Sequence, residues 1–205
     1  MFDLGFKEQA FTRAKNCLFE SKKSESKRDV SLSHYLLGLL SLPESIFEAR
    51  EDLQKLLEWT EKSGHMESII CSYILASEIA YCSADYTAAL KETTTGLNHA
   101  EGCGYGKFAI DLMLKLSKIH LSIPDYKTAL SFARNALDRS VHPDCKYAWG
   151  EANSLHLCGV CHKALGEYEL ASQRFKTALK IREKIQHPKA EETRILLKQL
   201  SKYSK

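Results

Sequence analysis

The stretch LHLCGVCHKALGEYELASQRF, from Leu155 to Phe175, decides the fold expected for this chain. Its first half carries an apolar stripe with the spacing i, i+3, i+7 and i+10, which predicts a helix: Leu155, Cys158, His162 and Leu165. Gly166 can adopt the left-handed conformation that ends a helix. A second helical stripe follows: Tyr168, Ala171, Phe175, Ala178, Leu179 and Arg182. The stretch therefore predicts two helices joined by a short turn.

The same element recurs along the chain, because the sequence matches itself when it is shifted by about 40 residues. A shift of 42 residues gives seven identities. They place Cys103, Tyr105, His120, Tyr126, Ala129, Ala136 and Leu137 on Cys145, Tyr147, His162, Tyr168, Ala171, Ala178 and Leu179. Further shifts of 40, 40 and 39 residues reach Ala89, Ala49 and Ala10. The element is thus present five times, near residues 10, 49, 89, 129 and 171.

This repetition predicts an all-α chain with about ten helices and no strands. The expected helices are 3–25, 30–42, 45–62, 67–82, 86–100, 106–121, 126–140, 148–164, 168–185 and 188–202. We expect one array over 1–205, with antiparallel helix pairs at 30–62, 67–101, 106–140 and 148–185. Residues 1–25 would be a half repeat that continues a longer array or an N-terminal cap, and 188–205 a C-terminal capping helix.

The last element resembles the tetratricopeptide repeat (TPR) at seven signature positions: Leu155, Gly159, Gly166, Tyr168, Ala171, Phe175 and Ala178. The resemblance implies a right-handed superhelix whose helices cross closely at Gly159 and Ala171, with Phe175 filling the gap between neighbouring units. It weakens towards the N-terminus, where Ser117 and Ser77 replace the mid-helix glycine. Ala133 and Thr93 replace the aromatic residue, and Leu37 and Leu53 stand at these two positions in the unit at Ala49. The chain is also similar to the C-terminal TPR arrays of bacterial STAND or NACHT-type signalling ATPases.

The composition indicates a globular helical protein, with 44% apolar and 27% charged residues and only 10 glycines and 4 prolines. The first residues, MFDLGFKEQA, match neither a signal peptide nor a membrane anchor, and no apolar run reaches the length of a membrane span. The seven cysteines are an odd number without a disulfide pattern. We therefore predict a cytoplasmic protein with free thiols.

Cys158, Cys161 and His162 also have the order of a c-type haem attachment site, CxxCH. The match of the sequence with itself opposes this interpretation. At a shift of 42 residues, Leu116 and His120 stand at the positions of Cys158 and His162, in a repeat that has no CxxC motif. A zinc site would need a fourth ligand such as Cys145 or His120. We favour structural cysteines, and predict no metal and no cofactor. No phosphate-binding loop, HExxH or GxSxG motif is present, which favours a non-catalytic protein.

The functional surface implied by the TPR resemblance is the concave face of the first helices. By family position this face is lined by His34, Gly38, Ile74, Glu78, Tyr81, Lys118, Leu121, Asn153, His156 and Lys163. Such a mixture suits a protein or peptide ligand, and the paired Lys and Asn arrangement that clamps a chaperone's C-terminal carboxylate is absent. For any single position, plain solvent exposure is the alternative interpretation.

The charge pattern leaves a second hypothesis open. Residues 174–205 hold ten lysines and arginines against three glutamates, a net charge of +7, whereas the rest of the chain sums to −4. Our first hypothesis is a scaffold that binds protein, the sensor or partner-binding module of a larger signalling protein. The alternative is a nucleic-acid-binding module that uses the basic C-terminal helix, with Lys198 and Lys202 among its contacts. No aromatic residues alternate with these basic residues, and we expect no membrane partner.

Overall fold

A computed structural model describes the backbone of residues 4–200 and the side chains of residues 7–200. This part of the chain contains ten α-helices and no strand. The helices are α1 Leu4–Lys23, α2 Lys27–Ser41, α3 Ile46–Ser63, α4 Met66–Cys82, α5 Tyr86–Gly102, α6 Gly106–Ser122, α7 Tyr126–Val141, α8 Ala148–Ala164, α9 Tyr168–Lys184 and α10 Ala190–Leu200. The predicted all-α class is confirmed. Within the described residues the predicted helix ends agree within three residues. The expected start of the first helix, at 3, and the expected end of the last helix, at 202, lie outside the described residues.

Local side-chain chemistry explains where the helices begin and end. Asp85 accepts a hydrogen bond from the backbone N–H of Ala88 at 3.0 Å, and Ser45 caps α3 in the same way. Gly64 ends α3 with φ +64°, and Gly166 follows α8 with φ +79°. Both glycines hold the left-handed conformation that the sequence predicted for Gly166.

The helices form two compact units, residues 1–103 and residues 104–205. Unit 1 contains α1–α5, with α2 packed against α3, α4 against α5, and α1 against α2. Unit 2 contains α6–α10, with α6 packed against α7, α8 against α9, and α10 against α9. The boundary runs through an exposed segment, Gly102 to Gly106, which holds three glycines in five residues. No helix within residues 4–200 has the length and apolarity needed to cross a bilayer.

The interior of unit 2 is built around Phe175, which is fully buried on α9. A Cβ atom at Gly159 of α8 would lie 2.7 Å from the Phe175 ring, so only glycine fits there. Ala171 and Leu200 complete a cluster of buried residues with Phe175, and three residues of α8 and α10 pack against it: Val160, Leu196 and Leu197. Phe175 therefore fills the space shared by α8, α9 and α10.

In unit 1, polar residues form the contact between α4 and α5 at the equivalent positions. Ser77 of α4 and Thr93 of α5 stand at the positions of Gly159 and Phe175, and both are fully buried. Their hydroxyl oxygens lie 2.5 Å apart, and Thr93 also donates to the carbonyl of Ala89 at 2.6 Å. A hydrogen bond between two small side chains thus joins this helix pair where an aromatic ring joins α8 to α9.

Candidate partner-binding surface

Helix α4 of unit 1 carries three of the residues predicted to bind a partner. Ile74, Glu78 and Tyr81 are spaced i, i+4 and i+7, so they lie along one side of the helix, and all three are half-buried. The Tyr81 ring contacts the Tyr86 ring at 5.7 Å between centroids. This stripe combines an aliphatic, an acidic and an aromatic side chain that the core does not fully cover.

The predicted residue His34 lies elsewhere, in the contact between α2 and α3. It is only 3% exposed, and its Nδ1 atom lies 2.8 Å from Oδ1 of Asp52. Gly38, one turn further along α2, is also buried, and a Cβ atom there would lie 2.6 Å from Cδ2 of Leu75. Neither residue is therefore accessible to a partner at the surface of α2. His34 and Gly38 do not belong to the predicted partner-binding surface.

In unit 2 the predicted residues separate into two groups. Lys118 of α6 is exposed and Leu121 is half-buried. The three residues of α8, in contrast, belong to a hydrogen-bonding network with α9 and α10. Asn153 accepts from Arg182 Nη2 at 2.8 Å, and Lys163 donates to Gln199 Oε1 at 3.3 Å. The stripe of α8 that was expected to face a partner is therefore in contact with side chains of this chain's own last two helices.

Arg182 is the centre of this network and is 2% exposed. Its Nη1 atom donates to Thr193 Oγ1 at 2.5 Å, to the carbonyl of Lys189 at 2.9 Å and to His156 Nδ1 at 3.2 Å. All of these acceptors are neutral, and Arg182 Nε has no partner among the described residues. A buried guanidinium therefore fixes the start of α10 against α8 and α9, and no carboxylate of residues 7–200 pairs with it directly.

The histidines of the network must be neutral to fit it. His156 is 5% exposed, and its Nδ1 accepts from Arg182, so its proton resides on Nε2, 3.4 Å from Glu192 Oε1. Burial lowers the pKa of His156, and the hydrogen bond from His156 lowers the pKa of Glu192 to about 2. Because His156 is enclosed in this way, we remove it from the predicted partner surface.

His187 lies beside the same network and is covered by Trp149. The two ring centroids are 3.9 Å apart, and His187 Nδ1 accepts from the backbone N–H of Lys189 at 3.0 Å. Burial, together with the positive charges of Arg182 and Lys189, lowers the pKa of His187 to about 4. Arg182 falls in the helical stripe that the sequence predicts for α9, and a charged residue at a core position is the sequence signal of this network.

The cysteines of the CxxCH stretch are part of the unit 2 core. Cys158 and Cys161 are buried, and desolvation raises the pKa of their thiols to about 11 and about 12. Protonated thiols are poor metal ligands, because the thiolate is the binding form. His162 is also buried and directs Nδ1 to Glu167 Oε2 at 2.5 Å. Among residues 7–200, no group of three or more His, Cys, Asp or Glu residues is arranged to hold a metal ion.

A cleft of about 630 Å³ opens at another side of unit 2. It lies between the start of α6, the end of α7 and the turn before α8, and is lined by Gly104, Gly106, Lys107, Ile110, Asp138, Arg139, His142, Asp144 and Cys145. Nearby, Tyr147 donates to the Asp111 carboxylate at 3.1 Å, and burial raises the pKa of Asp111 to about 6. None of the residues predicted for the partner surface lines this cleft.

Comparison with known proteins identifies the fold. No family model matches the chain, and no curated protein matches it. Among solved structures, BtubC (BKLC) from P. vanneervenii aligns over 96% of this chain and 83% of its own, with a TM-score of 0.75 and 15% identity. A STAND protein with a tetratricopeptide repeat sensor, from Pyrococcus horikoshii, aligns over 91% of this chain, with a TM-score of 0.69 and 21% identity. The chain has a TPR-like repeat fold.

This TPR-like fold is similar to the repeats of the STAND protein, as the sequence resemblance predicted. The aligned region makes up 30% of the STAND protein's length, so most of that protein has no counterpart in this chain. At these identities the likeness establishes the fold.

Proposed function

We propose that this TPR-like chain is a non-catalytic scaffold that binds a protein or peptide through its first helices, as the sensor or partner-binding module of a larger signalling protein. The observation that carries the proposal is the α4 stripe of Ile74, Glu78 and Tyr81, which places three chemically different side chains on one side of a helix. The likeness to the STAND protein with a TPR sensor supports the signalling context.

The surface that we propose is smaller than the one expected from the sequence. In unit 1 it consists of Ile74, Glu78 and Tyr81, and in unit 2 of Lys118 and Leu121. The α8 residues Asn153 and Lys163 are half-buried and occupied by contacts with Arg182 and Gln199. A partner that uses these hydrogen-bonding groups would have to displace Arg182 of α9 from Asn153 and Gln199 of α10 from Lys163.

Site-specific photocrosslinking in the native cell tests this proposal. A photoreactive amino acid at position 81 should capture a protein partner, because Tyr81 lies in the proposed stripe. The same amino acid at Thr94, an exposed residue on α5, is the control and should capture little. The double variant Tyr81→Ala with Lys118→Glu should lose the captured protein in a pull-down. Equal capture at positions 81 and 94, or intact binding by the double variant, would show that the surface is wrongly placed.

The alternative function, nucleic-acid binding by the basic C-terminal helix, gains little support from the described part of α10. Arg194 forms ion pairs with Glu183 and with Glu191, and Glu191 and Glu192 add negative charge at the start of the helix. Lys202 and Lys205 lie outside the described residues. Binding to duplex DNA that falls steeply with salt, and that is lost on reversal of Lys198 and Lys202, would favour this alternative.

A further inference from the structure

Helix α10 lies in a groove between α8 and α9 of unit 2, which we name the α10 groove. Its floor is apolar, because Phe175 of α9 and Val160 of α8 belong to one cluster with three leucines of α10: Leu196, Leu197 and Leu200. Arg182 lies at one end of this floor and donates a hydrogen bond to Thr193 at the start of α10. Both helices of the last pair therefore hold α10.

The α8 side of the groove is polar and contacts α10 at two points. Nε2 of His156 lies 3.4 Å from Oε1 of Glu192, and Lys163 donates to Oε1 of Gln199 at 3.3 Å. The two contacts are seven residues apart on each helix, a spacing that keeps them on one side of both. Helix α10 thus runs parallel to α8, with Glu192 and Gln199 facing it.

The charges that α8 and α9 bring to the groove are mainly positive. Lys163 and Arg182 are cations, and Lys176 is exposed on the side of α9 that also carries Glu183, seven residues later. Glu183 pairs with Arg194 of α10 at 2.7 Å. Together these four side chains of α8 and α9 carry a net positive charge, and their carboxylate is already matched by α10.

Two of the cations, in contrast, meet only neutral groups of α10. Arg182 donates to Thr193 and Lys163 to Gln199, and no carboxylate of residues 7–200 pairs directly with either cation. Burial lowers the pKa of Arg182, and Glu192 opposes this effect without touching the guanidinium. An arginine and a carboxylate form a stronger and better oriented pair than an arginine and a hydroxyl. A carboxylate at the Thr193 position would therefore hold a helix in this groove more firmly than α10 is held.

We propose that the α10 groove is a binding site for an acidic amphipathic helix of a partner protein, which displaces α10 and places a carboxylate against Arg182 at the position of Thr193. Apolar residues at the positions of Leu197 and Leu200 would fill the floor, as in other complexes in which a helix lies in an apolar groove. The groove is separate from the α4 stripe, and this site rests on the proposed function only for the protein nature of its partner.

A second copy of this chain fits the groove less well than such a helix. Its α10 carries the same Thr193 and Gln199, so exchange would leave Arg182 and Lys163 with the neutral acceptors that they already have. The chain's own α10 also competes as a tethered segment at high effective concentration. A foreign helix needs an additional contact, which the carboxylate supplies. This carboxylate would also lie beside Nδ1 of His156, which can take up a proton and donate to it.

A substitution within the full chain tests whether the groove favours a carboxylate. Thr193→Asp should slow hydrogen exchange in α10 by about tenfold, because the new carboxylate pairs with Arg182. In the Arg182→Met background the same substitution should give no protection. Thr177→Asp, at an exposed threonine on the other side of α9, is the control and should leave α10 unchanged. Faster exchange in Thr193→Asp, or equal protection in both backgrounds, would overturn the proposal.

Peptide binding tests displacement by a separate helix. Full chain with Leu197→Ala and Leu200→Ala keeps the groove and weakens the hold of α10. To this loosened chain we add a labelled peptide of residues 188–200 that carries Thr193→Asp and is stapled on its solvent side to remain helical. Fluorescence anisotropy should show about tenfold tighter binding than for the stapled peptide of native sequence. The preference should vanish when the loosened chain also carries Arg182→Met.

Three outcomes of this experiment count against the site. Equal affinities of the two peptides would refute the pairing with Arg182, and so would an equal gain from a peptide with Ile195→Asp, which adds the same charge on the exposed side of the helix. Absence of binding by the Thr193→Asp peptide at several hundred micromolar would refute the groove itself. Hydrogen exchange in α6 verifies that the loosened chain is folded, and Leu197→Ala alone replaces it if that exchange rises.

Further controls distinguish this groove from the other surfaces. The loosened chain with Tyr81→Ala and Lys118→Glu should bind the Thr193→Asp peptide with unchanged affinity, so that the groove and the α4 stripe can fail independently. Sedimentation of the loosened chain without peptide should show a monomer. A dimer that forms by exchange of α10 would favour a second copy as the occupant and overturn the choice of a partner helix.

Discussion

Gly159 and Phe175 show how one residue sets the distance between two helices. The Phe175 ring occupies the space that any larger residue at Gly159 would need, so α8 and α9 approach more closely there than Cβ atoms allow. In unit 1 the same close approach is made by Ser77 and Thr93 through a hydrogen bond. The same two positions of the repeat are therefore filled by different side-chain chemistry in the two units.

Replacement of Gly159 by alanine should destabilise the protein. The new methyl group would lie 2.7–3.0 Å from three atoms of a fully buried ring. Overpacking of this kind costs about 1–3 kcal/mol, and the better helix propensity of alanine offsets about 1 kcal/mol of it. We expect a net loss of up to about 2 kcal/mol in urea denaturation. Gly102→Ala, where a Cβ atom would meet nothing within 4 Å, is the control, and an equal loss there would contradict the packing argument.

Arg182 is the residue whose loss should affect α10 most. Arg182→Met removes the donor to Thr193, Asn153 and His156 while it keeps most of the side-chain volume. Buried acceptors left without a partner cost about 1–3 kcal/mol in stability. Hydrogen exchange should accelerate in α10 and remain unchanged in α6. Arg182→Lys should not restore protection, because an ammonium cannot reach acceptors on both sides of the planar guanidinium. Normal protection of α10 in the methionine variant would show that the network is dispensable.

At the scale of helices, the sequence predicted the ends well because turn residues mark them. Gly64, Gly166 and the caps Ser45 and Asp85 are local signals, and they act within a few residues of the chain. The partner surface was predicted less completely, because periodicity says which side of a helix is polar and does not say what covers it. His34 and His156 are polar and buried, since Asp52 in one case and the Arg182 network in the other supply their hydrogen bonds.

The attachment of α10 should depend on pH. His156 and His187 have pKa values below the ordinary value of 6.5, and that of His187 is about 4. A histidine whose pKa is lowered in the folded state binds a proton more readily once the network has opened. Acid therefore favours detachment of α10 from the network. The attachment of α10 should be fully stable above about pH 6.5, where both histidines are neutral in the folded and unfolded states. It should weaken progressively as the pH falls towards 4. The nearby charges of Arg182 and Lys189 act in the same direction, and Glu192 opposes them until its own carboxylate is protonated.

Trp149 offers a direct readout of this change, because its ring lies against His187. Hydrogen exchange in α10 and tryptophan fluorescence should change together between pH 6.5 and pH 4. The double variant His156→Asn with His187→Gln should flatten both curves over this range. His142→Gln, at an exposed histidine in the turn before α8, should leave them unchanged. An identical pH profile in the double variant would assign the transition to other groups.

At the scale of the whole molecule, each unit has its own buried thiol. Burial raises the pKa of Cys71 in unit 1 to about 12, and of Cys158 and Cys161 in unit 2 to about 11 and about 12. At pH 8 a maleimide should therefore modify the exposed Cys17, Cys82 and Cys103 first. The buried thiols should react only when the unit around them opens, which mass spectrometry of the labelled peptides can follow.

Labelling of these buried thiols also measures the opening of each unit separately. In helical repeat proteins each helix pair contacts mainly the adjacent helix pairs. A destabilised helix pair should therefore open without an equal effect on distant helix pairs. Gly159→Ala should accelerate the labelling of Cys158 and Cys161 more than that of Cys71. Equal acceleration at all three sites would show that the two units unfold as one. Rapid labelling of Cys71 in the unmodified chain would contradict its burial.

The glycine-rich segment between the units has a further consequence for how the chain can be altered. Residues 102–106 are exposed, and Gly104 adopts a left-handed backbone conformation, with φ +73°, that a longer side chain would strain. Insertions succeed where neither buried side chains nor helix hydrogen bonds are interrupted. This segment is therefore a place where the chain can accept a change of length, such as an inserted foreign domain, while both cores keep their composition.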